Sequence, residues 1–546
     1  MQDAGGNIDW SEFGLVLHAA SRSMPDSPQT IPEVISQALA KWPDKEALVG
    51  RYARYTYAAL AEEIDAAASA MQALGVRAGD RVAATTANHT EIVVAFFAAQ
   101  RLGAVWVGLN RQLAAPEKRF ILEDSGASYY FAERAAAAQI EPLRAELPQL
   151  RAIVDMEPGA KDSGWAKMLA EHRGAKPTAP QPDPFAPAAI AYTSGTTGFP
   201  KGVVHSQHNI ILVGAMQRRG AGRDIPAERP GIALPITILN LMILGPVAAF
   251  QFGRASILMD RIDTLGLAEW IREEKIEGFA SVPTMMYDLM TNPAVSAEDL
   301  ATLKYPSVGA AAMPESFREI YRQKFGRELS TSYGLTEAPT VVTVTDLDGA
   351  AIVPGASGVA AKHLRVSIQD PEGRLLPIGE SGEICVAAAD EGEFAGLYTP
   401  MLGYWRRADA TASSLRGGWL HTGDMGRLDA DGNLFVEGRR NDVILRGGSN
   451  VYPAEIERVL HMKDAVQEAA VIGRPDNRLG ERVVAVVQLP AGGQASEALR
   501  AELEAHCREN LARYKVPEEW IFVDAMPRNA MNKVVKAKLR EQHFGA

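Results

Sequence analysis

The chain has 546 residues, 47% of them hydrophobic and 23% charged, with a formal net charge of −11. That length exceeds what one core can serve and calls for two or more domains. The acidic balance excludes a sequence-independent nucleic-acid binder, which needs a basic face, but leaves room for small anionic ligands at a local basic site.

The first residues, MQDAGGNIDWSEFG, lack the basic and apolar regions of a secretory signal. Arg81 to Thr85 is predicted as a strand, Glu91 to Leu102 as a helix and Ala104 to Val107 as the next strand. Ile92 to Val107 is the most hydrophobic stretch, yet Gln100 and Arg101 interrupt it and Gly103 marks a helix end. It reads as a buried helix, turn and strand rather than a membrane span. The proline-rich stretch Lys176 to Pro187 is expected to be an exposed connection.

Ala188 to Tyr192 is predicted as a strand that runs into YTSGTTGFPKGVV, Tyr192 to Val204. Thr193, Ser194, Gly195, Thr196, Thr197, Gly198 and Lys201 supply hydroxyls, freed backbone N–H groups and one ammonium, the groups that hold a polyphosphate. The segment cannot be laid on a Walker A loop. The Pro200-Lys201-Gly202 turn is expected to aim the lysine. Val203-Val204 follows at once.

Further on, Leu267 to Lys275 is predicted as an amphipathic helix and Gly278 to Val282 as a strand. Met285, Met286, Ile243 and Leu244 are assigned to the core, and His205, His208 and His421 to structural hydrogen bonding. This alternation implies an α/β fold with largely parallel sheets, whose ligands sit at the C-terminal ends of strands. In Ser330 to Thr340, STSYGLTEAPT, Tyr333 can stack on a purine, Thr336 can donate to a phosphate and Glu337 is a hard oxygen ligand suited to Mg²⁺.

Beyond about residue 355 short strands such as Val366 to Ile368 and Glu383 to Val386 indicate a smaller β-rich subdomain. Within Gly417 to Leu460, Asp424 offers two acceptors, enough for both hydroxyls of a ribose. A last unit from about residue 443 carries a helix at Pro453 to His461, strands around Ala469 to Ile472 and Val483 to Gln488, and a helix at Ser496 to Asn510. That is enough chain for a small α/β domain. In PRNAMNKVVKAKLRE, Pro527 to Glu541, the residues Lys536, Lys538 and Arg540 read as a solvated helix face. Two cysteines, Cys385 and Cys507, make no disulfide framework and have no metal-ligand spacing, which points to a reducing cytoplasm.

The blocks at Tyr192, Ser330, Gly417 and Pro527, in that order, resemble those of the adenylate-forming superfamily: acyl-CoA synthetases, peptide-synthetase adenylation domains and firefly-type luciferases. The resemblance implies a large N-terminal ATP- and acid-binding domain over 1–440 with parallel-rich sheets and the β-rich subdomain. A small mobile α/β domain over 441–546 would follow, hinged near Asn441, where the family usually has an acidic residue or lysine. It implies Lys533 as the catalytic lysine, although Asn532 replaces the usual glycine before it. Asp424 would hold the ribose, Arg439 the nucleotide, and Ala312, Ser332 and Tyr333 the rest of AMP. Gly447 and Gly448 would lie against the pantetheine arm of coenzyme A.

The resemblance also sets the acyl pocket. Acetate-using relatives place a bulky aromatic where this chain has Gly334, and the slot at Ile238 and Leu239 is aliphatic. Ala310 and Ala311 would line the opposite wall. The implied activity is a cytoplasmic carboxylic acid–CoA ligase that uses ATP, Mg²⁺ and coenzyme A on an apolar cyclic, aryl or medium-chain acid, as a monomer or homodimer. A stand-alone enzyme loading a carrier-protein thiol and a luciferase-like oxygenase are the alternatives; a regulatory nucleotide binder fits less well, because the lysines and Glu337 are intact.

Overall fold

The computed structural model describes residues 8–17, 24, 26–179, 181–193, 200–218, 227–308, 315–326, 332–339, 341–345, 353–439, 442–446, 449–476, 479–511, 513–529 and 533–545. The apolar runs of the first half become central strands because only a sheet covered on both faces can bury every residue of such a run. Arg81–Thr85, Val105–Gly108, Tyr129–Ala132, Ala152–Asp155 and Pro187–Thr193 pair in parallel within a seven-stranded sheet. Lys201–Ser206 then returns antiparallel to Pro187–Thr193, and Gly403–Tyr404 pairs antiparallel at its outer side.

The helix Thr90–Arg101 is the crossover between the first two of these strands, and Gly103 closes it with φ +70°. Gln100 can sit inside this apolar helix because its amide donates to Ala188 O at 2.9 Å and accepts from Gln207 at 2.7 Å. No helix among the described residues is long and apolar enough to cross a membrane.

A six-stranded sheet contains Gly278–Ser281 and Pro230–Ile232, with parallel neighbours on both sides. The helix before Gly278–Ser281 runs Thr264–Glu274, three residues earlier than its hydrophobic pattern indicates. Asp263 caps it by accepting the Gly266 N–H at 2.9 Å, and Lys275 ends it in the left-handed region. Residues 364–439 form the β-rich unit, in which Gly382–Ala388, Trp419–Leu428 and Leu434–Arg439 lie side by side, antiparallel.

The strands Ile444–Arg446, Ser449–Val451, Glu468–Asp476, Gly480–Gln488 and Glu519–Val523 make a separate sheet. Along Gly480–Gln488 the side chains alternate between two cores. Val483, Ala485 and Val487 pack with Ile456, Leu460 and Leu503, whereas Val484 and Val486 pack with Met526 and Leu539. A period of two with both faces apolar explains why helices cover this sheet on both sides.

Candidate active site

A cleft of about 2640 Å³ is bordered by the ends of both parallel sheets, the β-rich unit and the C-terminal segment. Its floor is the hairpin of Pro187–Thr193 and Lys201–Ser206, closed by the pair Thr193 and Lys201. Ser194, Gly195, Thr196, Thr197 and Gly198 lie outside the described residues. Lys201 is not aimed by a turn, as its neighbours Pro200 and Gly202 suggest, but by its place in the ladder as the first residue of a strand. A side chain at Gly202 would come within 2.6 Å of Ile190, so glycine is what lets the strands meet there. The Lys201 ammonium stands 5.3 Å from the ring centre of Tyr404.

Thr336 and Glu337 sit at the tip of a tight turn, because Leu335 and Ala338 on either side pair with each other. Two contacts fix that turn. His205 Nε2–H donates to Thr336 O at 2.7 Å, and the Met401 N–H donates to Glu337 O at 3.0 Å. Burial pushes His205 down to about 4, so the ring is neutral. Burial raises the Glu337 carboxyl above its ordinary range, opposed in part by the Tyr404 hydroxyl, which donates to Glu337 Oε1 at 2.9 Å.

Tyr333 is buried, and its hydroxyl donates to Asp424 Oδ2 at 2.6 Å. Arg439 is the ladder partner of Asp424, with Nε 2.9 Å from Asp424 Oδ1. Burial raises the Asp424 carboxyl, and the guanidinium opposes that rise. Ser332 and Gly334, on either side of Tyr333, are exposed and border the cleft.

The Lys533 N–H donates to Asn529 Oδ1 at 3.0 Å, and Arg528 pairs with Val534 beside it. Its side chain keeps contact with solvent while its ammonium is crowded by protein. Desolvation and the neighbouring Arg439 lower its pKa, and Asp424 raises it. The structure thus brings Lys533 and Arg439 to the cleft, with Asp424 paired to Arg439.

Ile238 and Leu239 also border the cleft. Asn88 holds this segment by donating to Ile232 O and Leu234 O, each at 3.0 Å, and accepting the Ile236 N–H at 2.9 Å. A side chain at Gly108 would come within 2.1 Å of Thr237 O, so only glycine allows this approach. Ile243 is core, but Leu244 is 42% exposed and borders the cleft, where the chain kinks at Gly245-Pro246, Gly245 having the non-helical φ −94° and ψ −108°. Met286 is fully buried, whereas Met285 is part-buried and borders the cleft.

Ala310, Ala311, Ala312, Asn441, Gly447, Gly448 and Asn532 lie outside the described residues. Lys538 is exposed, but Lys536 is paired with Glu457 at 2.7 Å and Arg540 with Asp442 at 3.3 Å, so these two are not merely solvated. Sequence reasoning missed Tyr404, Asn88 and Glu383, whose partners lie far away in the chain. The one local signal was the aromatic pair Tyr404-Trp405 after a glycine.

The family model described as AMP-binding enzyme matches residues 35–405, and that of the AMP-binding enzyme C-terminal domain matches residues 455–533. An indoleacetate–CoA ligase of Aromatoleum aromaticum is 33% identical over 489 residues, which cover 89% of this chain and 92% of that protein. The fatty acid–[acyl-carrier-protein] ligase ScoC of Streptomyces coeruleorubidus is 34% identical over 525 residues, 95% of this chain and 97% of that one. Among solved structures, the anthranilate CoA ligase AuaEII in complex with anthranoyl-AMP superposes with a TM-score of 0.85 at 26% identity, over 95% of this chain and 99% of that one. With this architecture and these matches, the chain belongs to the AMP-binding enzyme family and is an AMP-forming acid–thiol ligase.

Proposed function

We propose that the protein converts an apolar monocarboxylic acid, ATP and coenzyme A into acyl-CoA, AMP and pyrophosphate. The observation that carries this reading is one cleft with two unlike ends. Lys201, Glu337, Arg439 and Lys533 border it, with the buried Asp424 paired to Arg439, and so do the aliphatic Ile238, Leu239 and Leu244. Arg254, a cation that also borders the cleft, lies over the Phe252 ring at 4.3 Å and 4.0 Å from Glu228. Its charge is engaged there, and the aliphatic Ile238, Leu239 and Leu244 offer a second substrate carboxylate no charged partner. Indoleacetate, anthranilate and fatty acids, named for the relatives, share an apolar body.

In the first step a carboxylate oxygen attacks the α-phosphate and pyrophosphate leaves. The loop over 193–198 and Lys201 would hold the phosphates, Asp424 the ribose and Arg439 the nucleotide, with Ala312, Ser332 and Tyr333 around the rest of AMP. Lys533 would meet the charge that grows at the α-phosphate. At an effective dielectric near 20 and ~4 Å, such a contact contributes roughly 4 kcal/mol.

Mg²⁺ fits this end of the cleft, since Glu337 and Thr336 present hard oxygens and the desolvated Glu337 carboxylate gains from a nearby cation. Bound there, the ion would neutralise charge on the phosphates. In the second step the thiol attacks the acyl carbon and AMP leaves. A C-terminal domain over 441–546, turning on Asn441 against 1–440, would withdraw Lys533 and bring Gly447 and Gly448 to the pantetheine arm.

The test is AMP release from a panel of acids with coenzyme A. Aryl, cyclic and medium-chain monocarboxylates should lead. A preference for acetate or for a dicarboxylate would contradict the pocket assignment.

A further inference from the structure

The strand Trp419–Leu428 leaves its ladder where Asp424 is presented. Cys385 faces His421 and Glu383 faces Met425, so Thr422, Gly423 and Asp424 all stand opposite Ile384. Two surplus residues are pushed out as a bulge, with Gly423 at φ +73°. A bulge re-aims the side chain it carries, and here it turns Asp424 toward Tyr333 and Arg439.

The ladder is interrupted at this point, so side chains must hold the bulge. Glu383 Oε1 accepts the Gly423 N–H at 3.0 Å. Its Oε2 accepts His421 Nδ1–H at 3.0 Å and lies 3.4 Å from Arg416 Nη2. Thr422 Oγ1 donates to Ile384 O at 2.7 Å and accepts the Asp424 N–H at 3.1 Å. The Glu383 and His421 side chains are 7% and 4% exposed, so water does not compete for these bonds.

Glu383, Cys385 and His421 also bring their ligand atoms within 4.8 Å of one another. The surroundings favour a hydrogen-bonded brace over a metal. A guanidinium shares Oε2, a backbone N–H takes Oε1, and burial pushes the Cys385 thiol up to about 12, leaving it protonated.

We infer that Glu383 is a positioning residue, whose carboxylate braces the bulge that turns Asp424 toward Tyr333 and Arg439 at the edge of the cleft and so sets recognition of the nucleotide's ribose. The inference rests on the proposed role of Asp424. The test is titration calorimetry of the full chain with AMP and with 2′,3′-dideoxy-AMP. The parent protein should bind AMP about tenfold more tightly than the dideoxy analogue, the scale of a charge-assisted hydrogen bond.

In Glu383→Ala that ratio should fall toward one, and the KM for ATP should rise while the KM for the acid holds. Glu383→Gln keeps an acceptor for the Gly423 N–H and should retain most of the ratio. If Glu383→Ala does not fold, Glu383→Asp withdraws the carboxylate by one methylene and should lower the ratio too. An unchanged ratio in the Ala variant, or in Asp where that is the one measured, overturns the inference. A ratio near one in the parent overturns the ribose role of Asp424 first, and this inference with it.

Discussion

Tyr404 donates its hydroxyl to Glu337 Oε1 at 2.9 Å across 67 positions of chain. The same ring carries the Lys201 ammonium at 5.3 Å, so one aromatic side chain links the proposed metal ligand to the proposed phosphate-binding lysine. Burial lifts the Glu337 carboxyl, and this hydrogen bond resists the lift.

Tyr404→Phe removes the donor and keeps the ring. Glu337 should then rise further, and a carboxyl with a raised pKa loses its charge earlier as pH falls. The acid limb of kcat/KM should therefore move to higher pH. The Mg²⁺ concentration for half-maximal rate should increase by about three- to tenfold. A pH–rate profile and a Mg²⁺ titration check this. A variant with both curves unmoved would remove Glu337 from the metal role.

Lys533→Ala separates the half-reactions. Acyl-AMP formation should fall by at least the ~10²–10³ that attends loss of one preorganised donor. Supplied acyl-AMP should still be converted to acyl-CoA near the parent rate. Equal loss in both steps would refute the assignment of Lys533 to adenylation alone.

Much of this arrangement was legible because its signals are local. The strand that ends at Thr193, the crossover helix closed by Gly103 and strands of the β-rich unit all follow from short runs of sequence. The brace at Glu383 was not legible, since its partners His421 and Gly423 lie 38 and 40 positions away. Leu244 was misread as core because its run is apolar, although the Gly245-Pro246 pair after it marks the kink at which it is exposed. Lys536 and Arg540 pair with acids on other elements, which charge patterning along one helix cannot show.

Gly334 is exposed beside Tyr333 and borders the cleft. Gly334→Trp should fill the acyl end and shift preference toward acetate or propionate by a clash with larger acids. Affinity for ATP should change little. Competitive turnover of short and bulky acids reads this directly, and undiminished use of bulky acids would locate the pocket elsewhere.

His205 is held near 4 by burial, against an ordinary value of 6.5. The unfolded chain binds a proton there that the folded chain rejects. The stabilisation is therefore complete above about pH 6.5 and is lost as pH falls toward 4. His205→Asn should show a shallower decline in unfolding free energy across that window than the parent. Parallel denaturant midpoints at each pH would contradict the neutral, buried imidazole.

The central claim is that the thiol is coenzyme A and that it meets an acyl-AMP. The direct measurement is mass spectrometry of products from enzyme, ATP, Mg²⁺ and the best acid of the panel, with either coenzyme A or a phosphopantetheinylated carrier protein. The account predicts equal amounts of AMP and acyl-CoA, with little turnover on the carrier. Turnover on the carrier protein alone, or ADP in place of AMP, would contradict it.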